Sequence, residues 1–195
     1  AVLVTGGAGF IGSHVVRALV EAGARVTILD NFSTGSIDTI ADIQHRISTI
    51  VGDITSAETC LKAAAGKSHI FHLAAAISVE ESTRRPEKYM HINVDGTRNI
   101  MSAATSCRAA RVVFSSSAAV YGNQTGVCHE NLPPAPTSPY AVSKAEAEKL
   151  CLQYTATKGL ENVILRYFNV YGENQKIQSG YGAVIPTFIA KIKQN

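Results

Sequence analysis

The chain has 195 residues, 46% hydrophobic and 17% charged, which suits one domain with a substantial core and argues against a disordered chain. Its net charge is only +3 and its basic residues are scattered, so no nucleic-acid partner is expected. No apolar stretch is long enough to span a membrane, so no membrane partner is expected either. The four cysteines lie far apart without metal-ligand spacing, which predicts reduced thiols in a cytoplasmic protein and no metal site.

The first element is a short apolar strand over residues 1–5, followed by glycines at positions 6, 9 and 12 and by an amphipathic helix. A flexible surface loop is the simpler explanation of a glycine triplet. The strand–turn–helix context favours a dinucleotide site instead. In such a site Gly6 permits the tight turn, Gly9 lets the backbone approach a pyrophosphate, and Gly12 lets the helix pack on the sheet. The helix N-terminus then attracts the pyrophosphate.

The second strand, over residues 25–29, ends at Asp30, where an acidic residue meets the adenosine ribose in dinucleotide sites. No arginine follows Asp30 to receive a 2′-phosphate, so the predicted cofactor is NAD rather than NADP. Residues 31–36 are predicted to form a loop over the ribose. After a third strand over residues 47–51, Asp53 either binds the adenine amine or caps the helix predicted at residues 56–65.

Further strands are predicted at residues 69–73, 111–114 and 163–167, with helices at 86–106, 139–158 and 184–193 and a glycine-rich loop before the last of these. Strands that alternate with helices indicate an α/β fold with a doubly wound parallel sheet. Ligands then bind at the carboxyl ends of the strands. The notable polar residues at those ends are Asp30, Asp53, Ser117 and Asn169. The small residues 74–76 would let the backbone approach a cofactor, whereas His72 is predicted to be a core histidine.

Tyr140 and Lys144 lie four residues apart at the start of a predicted helix, so their side chains project from one face. A phenol, whose ordinary pKa is about 10, is a poor base at neutral pH, but a neighbouring ammonium favours its charged form. Ser117 ends the neighbouring strand and can hydrogen-bond the same substrate oxygen. These groups supply a proton acceptor, its tuning cation and an orienting hydroxyl, as alcohol oxidation requires. The alternative is an exposed tyrosine and a solvated lysine.

Eight segments together resemble the extended short-chain dehydrogenase/reductases, and specifically the NAD-dependent nucleotide-sugar epimerases. They are TGGAGFIGSH (5–14), LDN (29–31), GDI (52–54), HLAA (72–75), NVDGTRNI (93–100), SSSAAVYG (115–122), SPYAVSK (138–144) and LRYFNVYG (165–172). They occur in the family's order over nearly the whole chain. The resemblance implies a Rossmann fold, a homodimer, and 4-epimerisation of UDP-glucose and UDP-galactose, or of their N-acetyl forms, through a transient 4-keto sugar.

The resemblance also implies roles for individual residues. Ser117, Tyr140 and Lys144 would be catalytic, and Ser117, Tyr140 and Asn169 would contact the nucleotide-sugar substrate. Lys144 would in addition hold the nicotinamide ribose. The cofactor would be bound by the following residues: Gly6, Gly9, Phe10, Ile11, Gly12, Asp30, Asn31, Asp53, Ile54, Leu73, Ala74, Ala75, Asn93, Ser115, Tyr140, Lys144 and Tyr167.

Two departures from related sequences bear on the reaction. Sugar 4,6-dehydratases carry an acidic residue just after the catalytic serine or threonine, but here Ala118 and Ala119 stand there and cannot transfer protons. The sequence therefore favours an epimerase over a dehydratase or decarboxylase; a reductase is the remaining enzymatic alternative. A non-catalytic dinucleotide sensor is disfavoured, because it needs no base. Ile77 replaces a lysine found in some epimerases, which leaves the subfamily open.

The last two expectations concern the domain boundaries and the contact between two copies of the chain. Residues 1–175 are predicted to form the NAD-binding domain, and residues 176–195 the start of a truncated substrate-binding region, with most of the C-terminal substrate domain absent. The predicted dimer contact involves residues 87–106 and 139–158, because both helices carry more apolar residues than one buried face needs. These residues include Met90, Met101, Leu150 and Leu152.

Overall fold

A six-stranded parallel sheet forms the centre of the computed structural model, which describes residues 1–175 and 184–193. Across the sheet the strand order is β3-β2-β1-β4-β5-β6, and each neighbouring pair is parallel. This is the order of a doubly wound dinucleotide-binding sheet, so the predicted fold class is confirmed. The strands are β1 (Val2–Thr5), β2 (Val26–Asp30), β3 (Ser48–Val51), β4 (His69–His72), β5 (Arg111–Ser117) and β6 (Glu161–Tyr167).

Helical segments cover both faces of the sheet. One apolar cluster packs β1 and β2 against α1 and a 3-10 segment, and the other packs the opposite face against α2, α5 and α6. The α-helices are α1 (Phe10–Glu21), α2 (Ala57–Ala64), α3 (Val79–Arg84), α4 (Pro86–Tyr89), α5 (Gly96–Ser106), α6 (Pro139–Lys158) and α7 (Val184–Lys193). The 3-10 segments are Ile37–Arg46 and Ala118–Tyr121, and a π-helical turn spans Met90–Asp95.

The helix predicted at residues 86–106 is present, but it is not uniform. The π-helical turn separates α4 from α5, and Asn93 within it is 2% exposed and bonded to residues outside the helix. Such turns insert one residue into the α-helical ladder and often occur at functional sites. Just beyond the turn, Gly96 packs against Ile54, whose side chain would lie only 2.6 Å from an added Cβ. The sequence periodicity did not reveal this local change.

Three helical segments were missed by the sequence analysis: α3, the 3-10 segment Ile37–Arg46 and the 3-10 turn Ala118–Tyr121. Helix α3 begins after Ser78, whose side chain accepts a hydrogen bond from the Glu81 N–H at 3.1 Å. The Ser-x-x-Glu pattern is the signal that could have found it. The 3-10 segment Ile37–Arg46 starts after Ser36, which accepts a bond from Asp38 N–H. Strand β6 also starts earlier than predicted, at Glu161.

Helix α6 has the ends that its sequence predicts. Ser138 caps it by accepting a hydrogen bond from Ala141 N–H at 3.1 Å, Pro139 occupies the first turn, and Gly159 ends it with a φ of +67°. The predicted last helix is also present, as α7. Most of the predicted glycine-rich loop before α7 lies in residues 176–183, which are outside the described residues. Among the described residues, no helix is long and apolar enough to cross a membrane.

Candidate active site

The glycine turn between β1 and α1 is built by close backbone packing. Gly6 has a φ of +71° and donates its N–H to Leu29 O at 2.8 Å, which joins the turn to β2. A Cβ on Gly6 would lie 2.8 Å from Ala74 N, and a Cβ on Gly12 would lie 2.0 Å from Gly6 O. Gly9 precedes α1 and offers no capping side chain. The helix therefore begins, at Phe10 and Ile11, with backbone N–H groups available to an anion.

Asp30 joins the end of β2 to the glycine turn. Its Oδ2 accepts a hydrogen bond from Ala8 N–H at 2.9 Å and its Oδ1 accepts one from Phe32 N–H at 2.9 Å. The residue is 8% exposed. Each carboxylate oxygen has a second lone pair, so Asp30 can still accept a bond from a ribose hydroxyl. The predicted loop at residues 31–36 is present and passes over the turn, where Ser36 N–H donates to Ala8 O at 3.2 Å.

Asp53 follows β3 and meets the loop after β2. Its Oδ2 accepts a hydrogen bond from Asn31 Nδ2 at 2.7 Å, and its Oδ1 accepts from the N–H and hydroxyl of Thr55, each at 2.8 Å. Burial opposes ionisation of Asp53, but these hydrogen bonds outweigh it and lower the pKa of the carboxyl. The cap of α2 is Ser56, not Asp53, since Ser56 Oγ accepts the Thr59 N–H. The capping alternative for Asp53 is therefore wrong.

Small residues follow β4, which lies beside β1 where the order of the strands across the sheet reverses. Leu73 and Ala74 donate their N–H groups to Thr5, to its carbonyl at 3.1 Å and its hydroxyl at 3.2 Å respectively. Ala74 and Ala75 are half-buried and carry only methyl side chains. Approach of a cofactor to the backbone of residues 74–76 stays a prediction.

Asn93 holds the same segment from the other side. Its Oδ1 accepts from Ala76 N–H at 2.8 Å, while its Nδ2 donates to Ala76 O at 3.0 Å and to Ser143 Oγ at 2.9 Å. Ser143 in turn donates to Tyr140 O at 2.7 Å. Both amide hydrogens of Asn93 are thus used within the protein. Direct contact between Asn93 and a cofactor stays a prediction, whereas its link between the β4 end and α6 is a feature of the structure.

His72 is a structural histidine, as predicted. It is 1% exposed, and its two ring nitrogens lie 2.7 Å from Thr5 Oγ1 and 3.0 Å from Thr97 Oγ1. Burial lowers the pKa of His72 to about 3, with a further contribution from Lys144. The ring is therefore neutral at physiological pH, and both nitrogens are already occupied.

The carboxyl end of β5 carries three serines in different environments. Ser115 is buried, and its hydroxyl has no hydrogen-bond partner among the described residues. Ser116 donates to the buried carboxylate of Glu148 at 2.5 Å. Ser117 is half-buried, accepts the N–H of Ala119 at 3.2 Å and is paired in register with Tyr167 on β6.

Tyr140 and Lys144 lie one turn apart at the start of α6. The Tyr140 ring meets Tyr89 edge to face, with the ring centres 6.4 Å apart. Lys144 is 4% exposed, and its Nζ lies 4.6 Å from the centre of the Phe114 ring. Burial lowers the pKa of Lys144 to about 8, which keeps most of the side chain protonated at neutral pH. The solvated-lysine alternative is therefore wrong.

The remaining predicted residues lie at the ends of β3 and β6. Ile54 is buried against α2 and Gly96, whereas Asn169 is exposed beyond β6. Sequence reasoning missed Asn99, whose Nδ2 holds the Asp53 loop by donating to Ile54 O at 2.9 Å and Thr55 O at 3.0 Å. It also missed Glu148. That residue lies four after Lys144, a spacing that places both on one helix face.

These features fit a dinucleotide cofactor. A side chain at Gly6 or Gly12 would collide with backbone, and α1 starts without a side-chain cap. The buried Ser115 hydroxyl has no hydrogen-bond partner in the part of the chain that the structure describes. Asp30 and Asp53 present carboxylates at the ends of β2 and β3. The residues that would hold NAD are thus spread over the strand ends on both sides of β1. Binding by each individual residue stays a prediction.

Comparison with known proteins supports the same interpretation. The model of the NAD dependent epimerase/dehydratase family matches residues 2–195. A UDP-glucose 4-epimerase of Azospirillum brasilense is 37% identical over 98% of this chain and 55% of its own length. A UDP-N-acetyl-alpha-D-glucosaminuronate decarboxylase of Bacillus cytotoxicus is 38% identical over 96% of this chain and 59% of its own length.

A solved structure shares the fold closely. The UDP-N-acetylglucosamine 4-epimerase of Methanobrevibacter ruminantium, in complex with UDP-N-acetylmuramic acid, superposes with a TM-score of 0.94 and 40% identity. The match covers 99% of this chain and 62% of that one, so the chain spans about 60% of the length of such relatives. The predicted resemblance and the predicted cofactor, NAD, are confirmed at the level of the family. The chain belongs to the NAD-dependent epimerase/dehydratase family.

Proposed function

We propose that the protein is an NAD-dependent UDP-sugar 4-epimerase, in which residues 1–175 form the cofactor domain. One observation carries the proposal. Tyr140 and a buried, charged Lys144 start α6, Ser117 lies at the carboxyl end of β5, and the two residues that follow it are Ala118 and Ala119. Relatives with epimerase and decarboxylase names match almost equally well, so the choice between reactions depends on these residues.

In the proposed reaction, Tyr140 takes the proton from the sugar C4 hydroxyl and later returns it. Lys144 stabilises the phenolate by its positive charge, and Ser117 orients the C4 oxygen through its hydroxyl. Bound NAD supplies the hydride acceptor and donor for C4. The 4-keto sugar then rotates within the site, so that C4 is reduced from its opposite face. One tyrosine serves both half-reactions, and no second acid is required.

Ala118 and Ala119 favour this reaction over elimination of water. They form the start of the 3-10 turn after Ser117, and the N–H of Ala119 is bonded to the Ser117 hydroxyl. Elimination needs an acid or base that moves a proton at the neighbouring carbons, and a methyl side chain cannot do this. A decarboxylase, a reductase and a non-catalytic sensor are the alternatives that the experiment must separate.

The experiment is product analysis by NMR after the full-length protein is incubated with UDP-galactose or UDP-N-acetylgalactosamine. Interconversion with the corresponding gluco sugar, without net change of the cofactor, is expected. A 4-keto-6-deoxy product would assign a dehydratase. Release of carbon dioxide in a parallel incubation with a UDP-uronate would assign a decarboxylase, and stoichiometric consumption of added NADH would assign a reductase. Absence of all turnover in a protein that binds NAD would indicate a sensor.

We also propose a homodimer, formed through α6 and the helical residues 87–106. Met90 is 37% exposed, Val142 38% and Leu152 60%, so these apolar side chains can contact a second copy. Met101 and Leu150, which were expected to contribute, are instead part of the protein's own core at 0% and 7% exposure. Light scattering at micromolar concentration tests the dimer.

All four cysteines are free thiols, and the cytoplasmic location stays a prediction.

A further inference from the structure

One buried carboxylate joins three elements that carry the candidate active site. Glu148 lies on α6 one turn after Lys144 and is 4% exposed. Its Oε1 accepts hydrogen bonds from Ser116 Oγ at 2.5 Å and from Arg166 Nε at 3.0 Å. Its Oε2 accepts a second bond from Arg166, from Nη2 at 2.8 Å. Glu148 thus bonds both strand β5 and strand β6.

The two strand residues that Glu148 holds are direct neighbours of predicted site residues. Ser116 precedes Ser117 on β5, and Arg166 precedes Tyr167 on β6, with both pairs in register. Successive side chains of a strand point to opposite faces. Ser116 and Arg166 therefore tie the strand ends to α6, while Ser117 and Tyr167 remain available on the other face.

Charge adds a second link, between Glu148 and Lys144. Burial lowers the pKa of Lys144 to about 8, and electrostatic interactions with Cys151, if it were ionised, and with Glu148 act in the opposite direction. However, burial raises the pKa of the Cys151 thiol to about 12, so this thiol is neutral at physiological pH. The counter-charge that Lys144 experiences is therefore that of Glu148.

Other titratable groups interact with Lys144, Glu148 or Tyr140, and their charge states between pH 6 and 9 are set by their surroundings. His72 on β4 is neutral, because burial lowers its pKa to about 3. Arg166 is held charged, since the hydrogen bond to Glu148 raises its pKa. Tyr89, which contacts Tyr140, has its pKa raised to about 12 by burial and by its bond to Glu81. Between pH 6 and 9, the group of this set expected to respond directly to Glu148 is Lys144.

We propose that Glu148 is a positioning residue, which fixes the strand ends bearing Ser117 and Tyr167 against α6 and supplies the counter-charge of Lys144. Its role in turnover rests on the proposed function, but its effect on the cofactor does not. A buried carboxylate with three hydrogen bonds is satisfied without any ligand. Glu148 acts through Ser116, Arg166 and Lys144 rather than by touching the sugar.

The test is calorimetric titration of the full-length protein with NAD between pH 6 and 9. In the wild type, affinity is expected to fall as pH rises through about 8, where Lys144 loses its proton. In Glu148→Gln the side-chain shape is kept but the charge is lost. NAD affinity at pH 7 is expected to fall about tenfold, and the midpoint of the pH dependence is expected to fall by about one pH unit.

Glu161→Gln is the matched control. Glu161 pairs with Arg111 across the same two strands, β5 and β6, but at their amino ends and in contact with solvent. This variant is expected to leave both affinity and midpoint unchanged. An unchanged midpoint in Glu148→Gln, the same shift in Glu161→Gln, or a wild-type affinity that does not vary with pH would each overturn the proposal.

Ser116→Ala keeps the test available if Glu148→Gln does not fold. It removes one hydrogen bond and leaves the charge of Glu148, so affinity should fall severalfold while the midpoint stays in place. No loss of affinity would overturn the positioning role. NAD titration involves no sugar turnover, so a wild type that binds NAD but converts no UDP-sugar would refute only the proposed function. A working epimerase whose Glu148→Gln variant titrates like the wild type would refute only the role of Glu148.

Discussion

The two halves of the sheet build their parts of the candidate site by different means. Around β1 and β2 the site is made of backbone: Gly6 and Gly12 pack against carbonyl and amide groups, and Asp30 holds the turn through main-chain N–H groups. Around β5 and β6 it is made of side chains, which α6 holds through buried hydrogen bonds. In the first half, an atom added at Gly6 or Gly12 would collide with backbone. The second half depends on which functional groups are present.

Burial differs between strands β1 and β2 and the edge strand β6. Every residue of β1 and β2 is buried, with helical segments on both faces. On β6, Val163 and Leu165 are each 37% exposed, and Phe168 beyond it is 66% exposed. We therefore expect replacement of a glycine around β1 and β2 to lower the free energy of unfolding. Replacement of a polar side chain around β5 and β6 should instead lower catalytic activity.

The largest effect is expected for Tyr140→Phe in the full-length protein. The phenyl ring keeps the packing against Tyr89, but the general base is lost, so kcat should fall by about 10²–10⁴-fold while NAD still binds. Steady-state assay and calorimetry measure the two quantities. Tyr154→Phe, on the same helix, is the control and should keep its activity. A Tyr140→Phe variant with more than about a tenth of wild-type kcat would remove Tyr140 from the mechanism.

Gly12→Ala tests the backbone half. An added Cβ would lie 2.0 Å from Gly6 O, which is backbone and cannot move aside without opening the turn. Overpacking of this kind should lower the free energy of unfolding by about 3 kcal/mol, as measured by urea denaturation. Gly9→Ala is the comparison, because its Cβ has one neighbour, at 3.2 Å. The free energy of unfolding of that variant should stay within about 1 kcal/mol of the wild-type value, although its affinity for NAD should be lower. Equal stability of both variants would contradict the argument.

The pH dependence of stability tests the buried histidine at the boundary of the halves. The pKa of His72 is about 3 in the folded protein, below its ordinary value of 6.5, so the unfolded chain binds the extra proton as pH falls. The contribution of neutral His72 to the free energy of unfolding is therefore fully present above pH 6.5. Below that pH it should decrease by about 1.4 kcal/mol per pH unit. Urea denaturation at pH 6.5, 6 and 5 measures the slope before most carboxylates titrate.

Two substitutions identify the source of that slope. His72→Gln should flatten it, whatever its cost in absolute stability. His91→Gln, at a histidine whose side chain is 63% exposed, should leave the slope as in the wild type. A slope that persists in His72→Gln would assign the proton uptake to another group.

The smallest effect is expected for Asp30→Asn. The amide keeps one acceptor for the N–H groups of Ala8 and Phe32 but loses the negative charge that repels a 2′-phosphate. NAD affinity should fall about tenfold, the usual scale for one charged hydrogen bond, and the preference for NAD over NADP should narrow. Competitive titration of the two oxidised cofactors measures both changes. Tighter binding of NADP by the wild type would contradict the prediction.

The sequence by itself determined the parts of the site whose cause is local. The glycines at 6, 9 and 12 dictate a turn, Asp30 ends an apolar strand, and the four-residue spacing of Tyr140 and Lys144 places them on one helix face. Steric limits on φ and the helical repeat act within a few residues, so the one-dimensional pattern reveals them. The six strands and the long α6 follow from the same local periodicities.

Only the tertiary structure decided which distant groups meet. Glu148 and Arg166 are 18 residues apart in sequence, and Asn93 and Ser143 are 50 apart, yet each pair is hydrogen-bonded in the interior. Ser115, Ser116 and Ser117 read alike in the sequence. Among the described residues, the first hydroxyl has no hydrogen-bond partner, the second donates to a carboxylate and the third accepts the N–H of Ala119. The physical reason is that burial and pairing depend on contacts made by strand order and helix packing, which the local pattern of a chain does not contain.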